Sequence, residues 1–337
     1  RLLVEKNDLQ LIKPLMELAK NGENELARLH AIWTLEGMGA VDTDLLFELL
    51  DNNNIRLTNA ALRILENKVK NSPQEKVRLE NYMSQAAIKA TEKEALQLAL
   101  SSYSLNPEAS IKVVMPIFEA YGEEPLIRDA IMSSMQNREF ELLQAFWKED
   151  DWNESNQTEE IFLETLTSAI ISNGDTEEVS GLLALINSGD LGWKERVVLT
   201  GMAIQGQDPS NTNLITLKSA PALLQRSDLP VDEKRVESIK NLFSWPGYTP
   251  SQVVASESLL DENSRKQFAL GRQKYLTTCA GCHGSDGAGA TRMGPPLANS
   301  DWVLGDETRL SLIILHGMEG PLEVSGKTYD APDILPV

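Results

Sequence analysis

From residue 8 to about 230 the apolar residues return at spacings of three and four, which lays a stripe along one face of an α-helix. The stretch NELARLHAIWTLEGMGAVDTDLLFELLDNNNIRLTNAALRILE carries the pattern clearly. Leu26, Leu29, Ile32 and Trp33 form one stripe, Leu45, Leu46, Leu49 and Leu50 a second, and Ala60, Ala61, Ile64 and Leu65 a third. Gly39 and the Asp51-Asn52-Asn53-Asn54 cluster are the expected helix stops between them, because such residues favour turns and caps over helix interiors. Weaker helical segments follow at 111–121, 127–147, 161–171, 179–186 and 197–204. Paired amphipathic helices of this length, repeated at about 40 residues, predict an all-α fold built as an α-solenoid.

Between about 228 and 263 the texture changes. Asp228 and Pro230 are followed by SWPGYTPSQ, with Pro246, Gly247 and Pro250. Residues before proline are pushed out of the helical region, so a linker is expected here. The predicted organisation is a helical repeat domain at 1–230, a linker at 231–263 and a second domain at 264–337. A chain of 337 residues exceeds what one core usually serves, and an apolar fraction of 42% is enough to fill more than one.

Charge narrows the partners. Fifty acidic side chains against 31 basic ones give a net charge of −19, which excludes nucleic acid as an expected partner because phosphate contacts need a positive surface. An acidic surface suits a basic or cationic partner. No apolar run has the length of a membrane span, and no signal-like segment opens the chain, whose first residue is Arg1. The expectation is therefore an excised or processed piece of a larger protein.

The chain has only two cysteines, and both lie in Cys279-Ala280-Gly281-Cys282-His283. Thiols this close in sequence make a poor structural disulfide. Covalent haem attachment, by contrast, needs two thiols about one helical turn apart to meet the two vinyl groups, and a histidine next to them to reach the iron. A zinc site would need further ligands, and only His30 and His316 remain. A thioredoxin-like pair would follow a strand, and no βαβ pattern surrounds this one. The helix entering the motif, SRKQFALGRQKYLTT, aligns Phe268, Gly271, Arg272 and Tyr275 on one face, which predicts close packing on another helix at Gly271.

Two resemblances add to this reading. The string RLHAIWTLEGMGAVDTDLL is similar to HEAT segments of large membrane-bound dehydrogenases of the quinoprotein type from planctomycete-like bacteria. After the motif, GSDGAGATRMGPPLANSDWVLGDETRLSLIILHGMEGPLEVSGKTYDAPDILPV resembles the body of a small class I cytochrome c, in the subgroup fused to such HEAT segments. The resemblance implies haem c held by Cys279, Cys282 and His283, with the carbonyl of Pro295 on the far ring nitrogen of the histidine. It implies a haem pocket lined by Leu297, Trp302 and the helix at 308–315.

The family's axial methionine stands in a loop before a C-terminal helix, and this chain ends at DAPDILPV with neither. The axial methionine and last helix are expected just beyond residue 337, so that the cytochrome c domain here is C-terminally incomplete. Within the chain Met318 is the candidate sixth ligand, with Met293 and His316 as lesser ones.

The expected function is electron transfer through covalent haem c in the periplasm or another exported compartment. The resemblance implies electrons arriving from a quinoprotein sugar or alcohol dehydrogenase, a PQQ-type propeller domain or partner, and leaving to a downstream redox acceptor. No catalytic domain is expected in this chain. An interaction scaffold built on the helical array, or a haem sensor with an open sixth position, are the alternatives. The glycine-rich GSDGAGA lacks EF-hand and P-loop spacing and reads as a loop, as does the acidic run KEDDWNESNQTEE; His30 reads as a structural residue of a repeat helix.

Overall fold

The computed structural model describes residues 2–52, 54–148, 156–188, 191–207, 214–250, 262–279, 283, 287, 294–318, 320–324 and 326–329. The fold is all-α, a helical solenoid followed by a small C-terminal domain, and the chain divides into two compact units, Arg1–Phe146 and Trp147–Val337.

The first unit contains α1 (Leu2–Lys6), α2 (Ile12–Asn21), α3 (Glu25–Gly37), α4 (Thr43–Leu50), α5 (Ile55–Lys68), α6 (Pro73–Ile88), α7 (Glu92–Ser101), α8 (Pro107–Tyr121), α9 (Pro125–Ser134) and the body of α10 (Glu139–Trp147). Each start has a local cause. The side chains of Asn24, Asp42, Asn54, Ser72 and Asn106 accept hydrogen bonds from first-turn amides of α3, α4, α5, α6 and α8. Thr91 and Glu94 close a capping box on α7, and prolines open α6, α8 and α9 where no amide is needed. Gly39 ends the α3 turn at φ +66, a conformation that costs glycine nothing.

Neighbouring helices pack as pairs, α2 with α3 and α4 with α5, and alternate helices stack, α3 on α5, α5 on α7, α7 on α9 and α6 on α8. That order is what a solenoid of helix pairs requires, since each pair can bury its apolar face only against the next. The second and third predicted stripes lie inside it: Leu45, Leu46, Leu49, Leu50, Ala60, Ala61, Ile64 and Leu65 are all buried. The first stripe is displaced. Ala31, Ile32 and Leu35 form the buried face of α3, whereas Leu26 and Trp33 are exposed. Ile32 belongs to both faces, but a small alanine carries little weight in a hydrophobic pattern, so the bulkier Leu26 and Trp33 point the pattern one position round the helix. His30, expected as a structural residue, is also exposed.

A buried carboxylate sits in this unit. Glu66 on α5 accepts from Ser101 Oγ at 2.5 Å and from Tyr103 Oη at 3.4 Å. Burial pushes its carboxyl above the ordinary 4.5, against the opposing pull of Ser101, Arg63 and Tyr103. Such a group takes up its proton more readily folded than unfolded, so its contribution to stability is full below about pH 4.5 and is lost as the pH rises through the raised folded value. In urea titrations from about pH 4 to pH 7, Glu66→Gln should therefore gain on the natural chain as the pH rises. A difference independent of pH would contradict this.

In the second unit α11 (Gln157–Asn173), α12 (Thr176–Ser188) and α13 (Trp193–Gln207) continue the helical pattern, α11 packing on α13 and α12. The stretch expected as linker contains more structure than its prolines suggested. α14 (Glu233–Lys240) packs on α13, and β2 (Phe243–Ser244) pairs in parallel with β1 (Ile215–Thr216). The reason is its apolar content: Ile239, Leu242 and Phe243 are all buried, a burial that a free tether would forgo. Residues 251–261 of that linker lie outside the described residues. α15 (Glu262–Thr278), α16 (Asp301–Leu304), α17 (Glu307–His316) and the hairpin β3 (Leu322–Val324) with β4 (Lys327–Tyr329) complete the chain. No helix among the described residues is long and apolar enough to cross a membrane.

Candidate functional site

α15 delivers the first cysteine. Its last turns run on through Cys279, whose amide donates to the Tyr275 carbonyl at 2.8 Å, and the His283 amide donates to the Cys279 carbonyl at 3.2 Å. The histidine is thus held one helical turn after a half-buried cysteine. Cys282 lies outside the described residues, as do Met293 and most of the GSDGAGA loop.

The imidazole is oriented from the other side. His283 Nδ1 lies 2.7 Å from the Pro295 carbonyl oxygen. A carbonyl only accepts, so the proton of a neutral ring is on Nδ1 and the lone pair is on Nε2, the arrangement a metal-binding imidazole needs. Pro295 and Gly294 are both buried. The loop is anchored at Gly287, whose carbonyl accepts from the amides of Leu297 at 2.8 Å and Ala298 at 2.9 Å. Gly287 has φ +72, and a Cβ there would meet the Ala298 amide at 3.4 Å, so glycine answers both the conformation and the close approach.

The remaining predicted residues take distinct places. Leu297 is half-buried beside the anchored loop, and its carbonyl accepts from the Ser300 amide. Trp302, on α16, donates from Nε1 to the Glu323 carbonyl at 3.0 Å, and the Arg309 guanidinium stands 5.0 Å from its ring centroid. This tryptophan therefore ties α16 to the β3–β4 hairpin. The sequence signal for that hairpin is LEV and KTY flanking Ser-Gly, with Leu322 and Val324 as its buried face. Met318 is half-buried just after α17, and His316 is exposed.

The expected close packing at Gly271 is not found with any described residue. A Cβ built there meets nothing within 4 Å, and Phe268 is 61% exposed. Within the α15 stripe, Arg272 pairs with Glu164 of α11 and its guanidinium stands 5.8 Å from the Tyr275 ring centroid. α17 has no buried residue, although it carries Leu312, Ile314 and Leu315. A donor set of thiol and imidazole, with a ring already fixed in the metal-binding tautomer and apolar side chains close by in the same small domain, fits a large, flat, mostly apolar group that holds iron.

Residues 268–331 match the family model for cytochrome c. They form a cytochrome c domain. Such a domain carries a covalently bound c-type haem and serves haem-based electron transfer, and domains of this family typically work outside the cytoplasm. The match begins within α15 and leaves the helical array outside it. No curated protein and no solved structure matches the chain.

Proposed function

We propose that the cytochrome c domain holds its haem through thioethers to Cys279 and Cys282 and an iron bond from His283, and that the chain relays electrons from a quinoprotein dehydrogenase to a downstream acceptor. The observation that carries this reading is the hydrogen bond from His283 Nδ1 to the Pro295 carbonyl. It fixes the ring, aims Nε2 and raises the basicity of the imidazole as a ligand. When bound, the haem iron supplies a centre that takes up and gives back a single electron. The protein's part is to orient and to exclude water: Gly287 anchors the loop that carries Pro295 and Leu297, and Trp302 pins α16 to the hairpin. Leu297 and Trp302 are assigned to the pocket wall, and Met318 is the sixth-ligand candidate within the chain.

The partner rests on the likeness of RLHAIWTLEGMGAVDTDLL to HEAT segments of such dehydrogenases, and the net charge of −19 favours a basic docking face on at least one redox partner. Exported location follows from the site of haem c attachment, and the division into array at 1–230, linker at 231–263 and haem domain at 264–337 belongs to the same proposal. A potentiometric titration of the exported, haem-loaded chain tests the reading. A single one-electron wave, with reduction by a quinoprotein dehydrogenase, is expected. A high-spin haem that binds carbon monoxide readily and exchanges no electrons with a quinoprotein dehydrogenase would replace the relay by a sensor.

A further inference from the structure

Glu164 lies in the middle of α11, in a run where Phe162, Leu163 and Leu166 are all buried, and it is itself 3% exposed. A carboxylate in such a place costs several kcal/mol of desolvation unless a cation meets it. It has little freedom to leave. α13 crosses α11 at Gly201, where a Cβ would stand 3.4 Å from Glu164 Cγ and 3.3 Å from Thr167. The cation that meets it comes from 108 residues along the chain: Arg272 on α15 donates from Nη2 to Glu164 Oε1. Arg272 precedes Cys279 by about two helical turns. It is therefore on the helix that leads directly into the haem-binding motif.

This pair differs in kind from others in the molecule. Lys112–Glu108 and Arg78–Asp44 join side chains that are more than half exposed, where an ion pair contributes little. At Glu164 the array buries a charge, and an element far along the chain supplies a cation to it. We propose that α11 is the docking site for the cytochrome c domain, with Glu164 as the receptor and Arg272 as the plug, so that the haem-bearing helix is held against the array and not carried on a free tether. The assignment is independent of the electron donor and of the sixth ligand. Its consequence is a fixed presentation of the haem domain, with the exposed Phe268 and Leu270 of the same helix left outside the contact.

Hydrogen exchange on the haem-loaded full chain tests the docking, because each substitution is read on the helix that does not contain it. Glu164→Gln should speed amide exchange in α15 by about tenfold or more, and Arg272→Gln should do the same in α11. The double variant should be no faster than the faster single one, since both remove the same interaction. Arg272→Lys should restore part of the protection. If Glu164→Gln lowers the helix content, the Arg272→Gln arm decides alone, because that residue lies outside the array. Unchanged exchange in α11 on Arg272→Gln, or additive effects in the double variant, would overturn the proposal.

Discussion

His283→Ala is expected to cut covalent haem per exported chain by about tenfold or more, read as haem absorbance against protein mass. Alanine removes the only imidazole adjacent to the cysteines and with it the Nε2 lone pair that the Pro295 carbonyl aims. The comparison with Pro295→Ala separates ligand from orienting group. That substitution keeps the backbone carbonyl and loosens only the loop, so haem content should survive while the reduction potential shifts. Equal haem loss in both variants would mean that the loop, and not the ring, governs attachment.

Leu65→Ala should remove about 3 kcal/mol from the stability of the first unit. Leu65 is fully buried on α5, the helix that packs on α3, α4 and α7 at once. Truncation there opens a cavity that no single neighbour can close by a small shift. In urea the unfolding transition of residues 1–146 should move to clearly lower concentration with little change in slope. Leu26→Ala, on the exposed side of α3, should move it by no more than about 0.5 kcal/mol. Similar losses at both positions would mean that the buried face of the array is not the one described.

Much of this was legible in the chain because it depends on local rules. The stripes on α4 and α5 coincide with the buried faces, since an apolar pair repeated four residues on, Leu45-Leu46 with Leu49-Leu50 and Ala60-Ala61 with Ile64-Leu65, marks one face. On α3 the expected stripe Leu26-Leu29-Ile32-Trp33 shares Ile32 with the buried face Ala31-Ile32-Leu35, and only the neighbouring helices decide between the two. The haem motif was complete in five residues, whereas the anchoring role of Gly287 needed the loop in three dimensions. Likewise Ile239, Leu242 and Phe243 lay hidden in a stretch whose prolines signalled a tether. The Glu164–Arg272 pair left no local trace, because nothing in either helix announces a partner so far along the chain.

The central claim is that Cys279, Cys282 and His283 hold a covalent haem in the cytochrome c domain. Intact mass together with a pyridine haemochrome spectrum, taken on the full chain exported through a competent haem c maturation system, tests it most directly. The predicted result is a chain heavier by a single haem that survives acid extraction, with the absorption band of a porphyrin saturated at both vinyl groups. A chain of unmodified mass, from cells that mature a control cytochrome c normally, would contradict it.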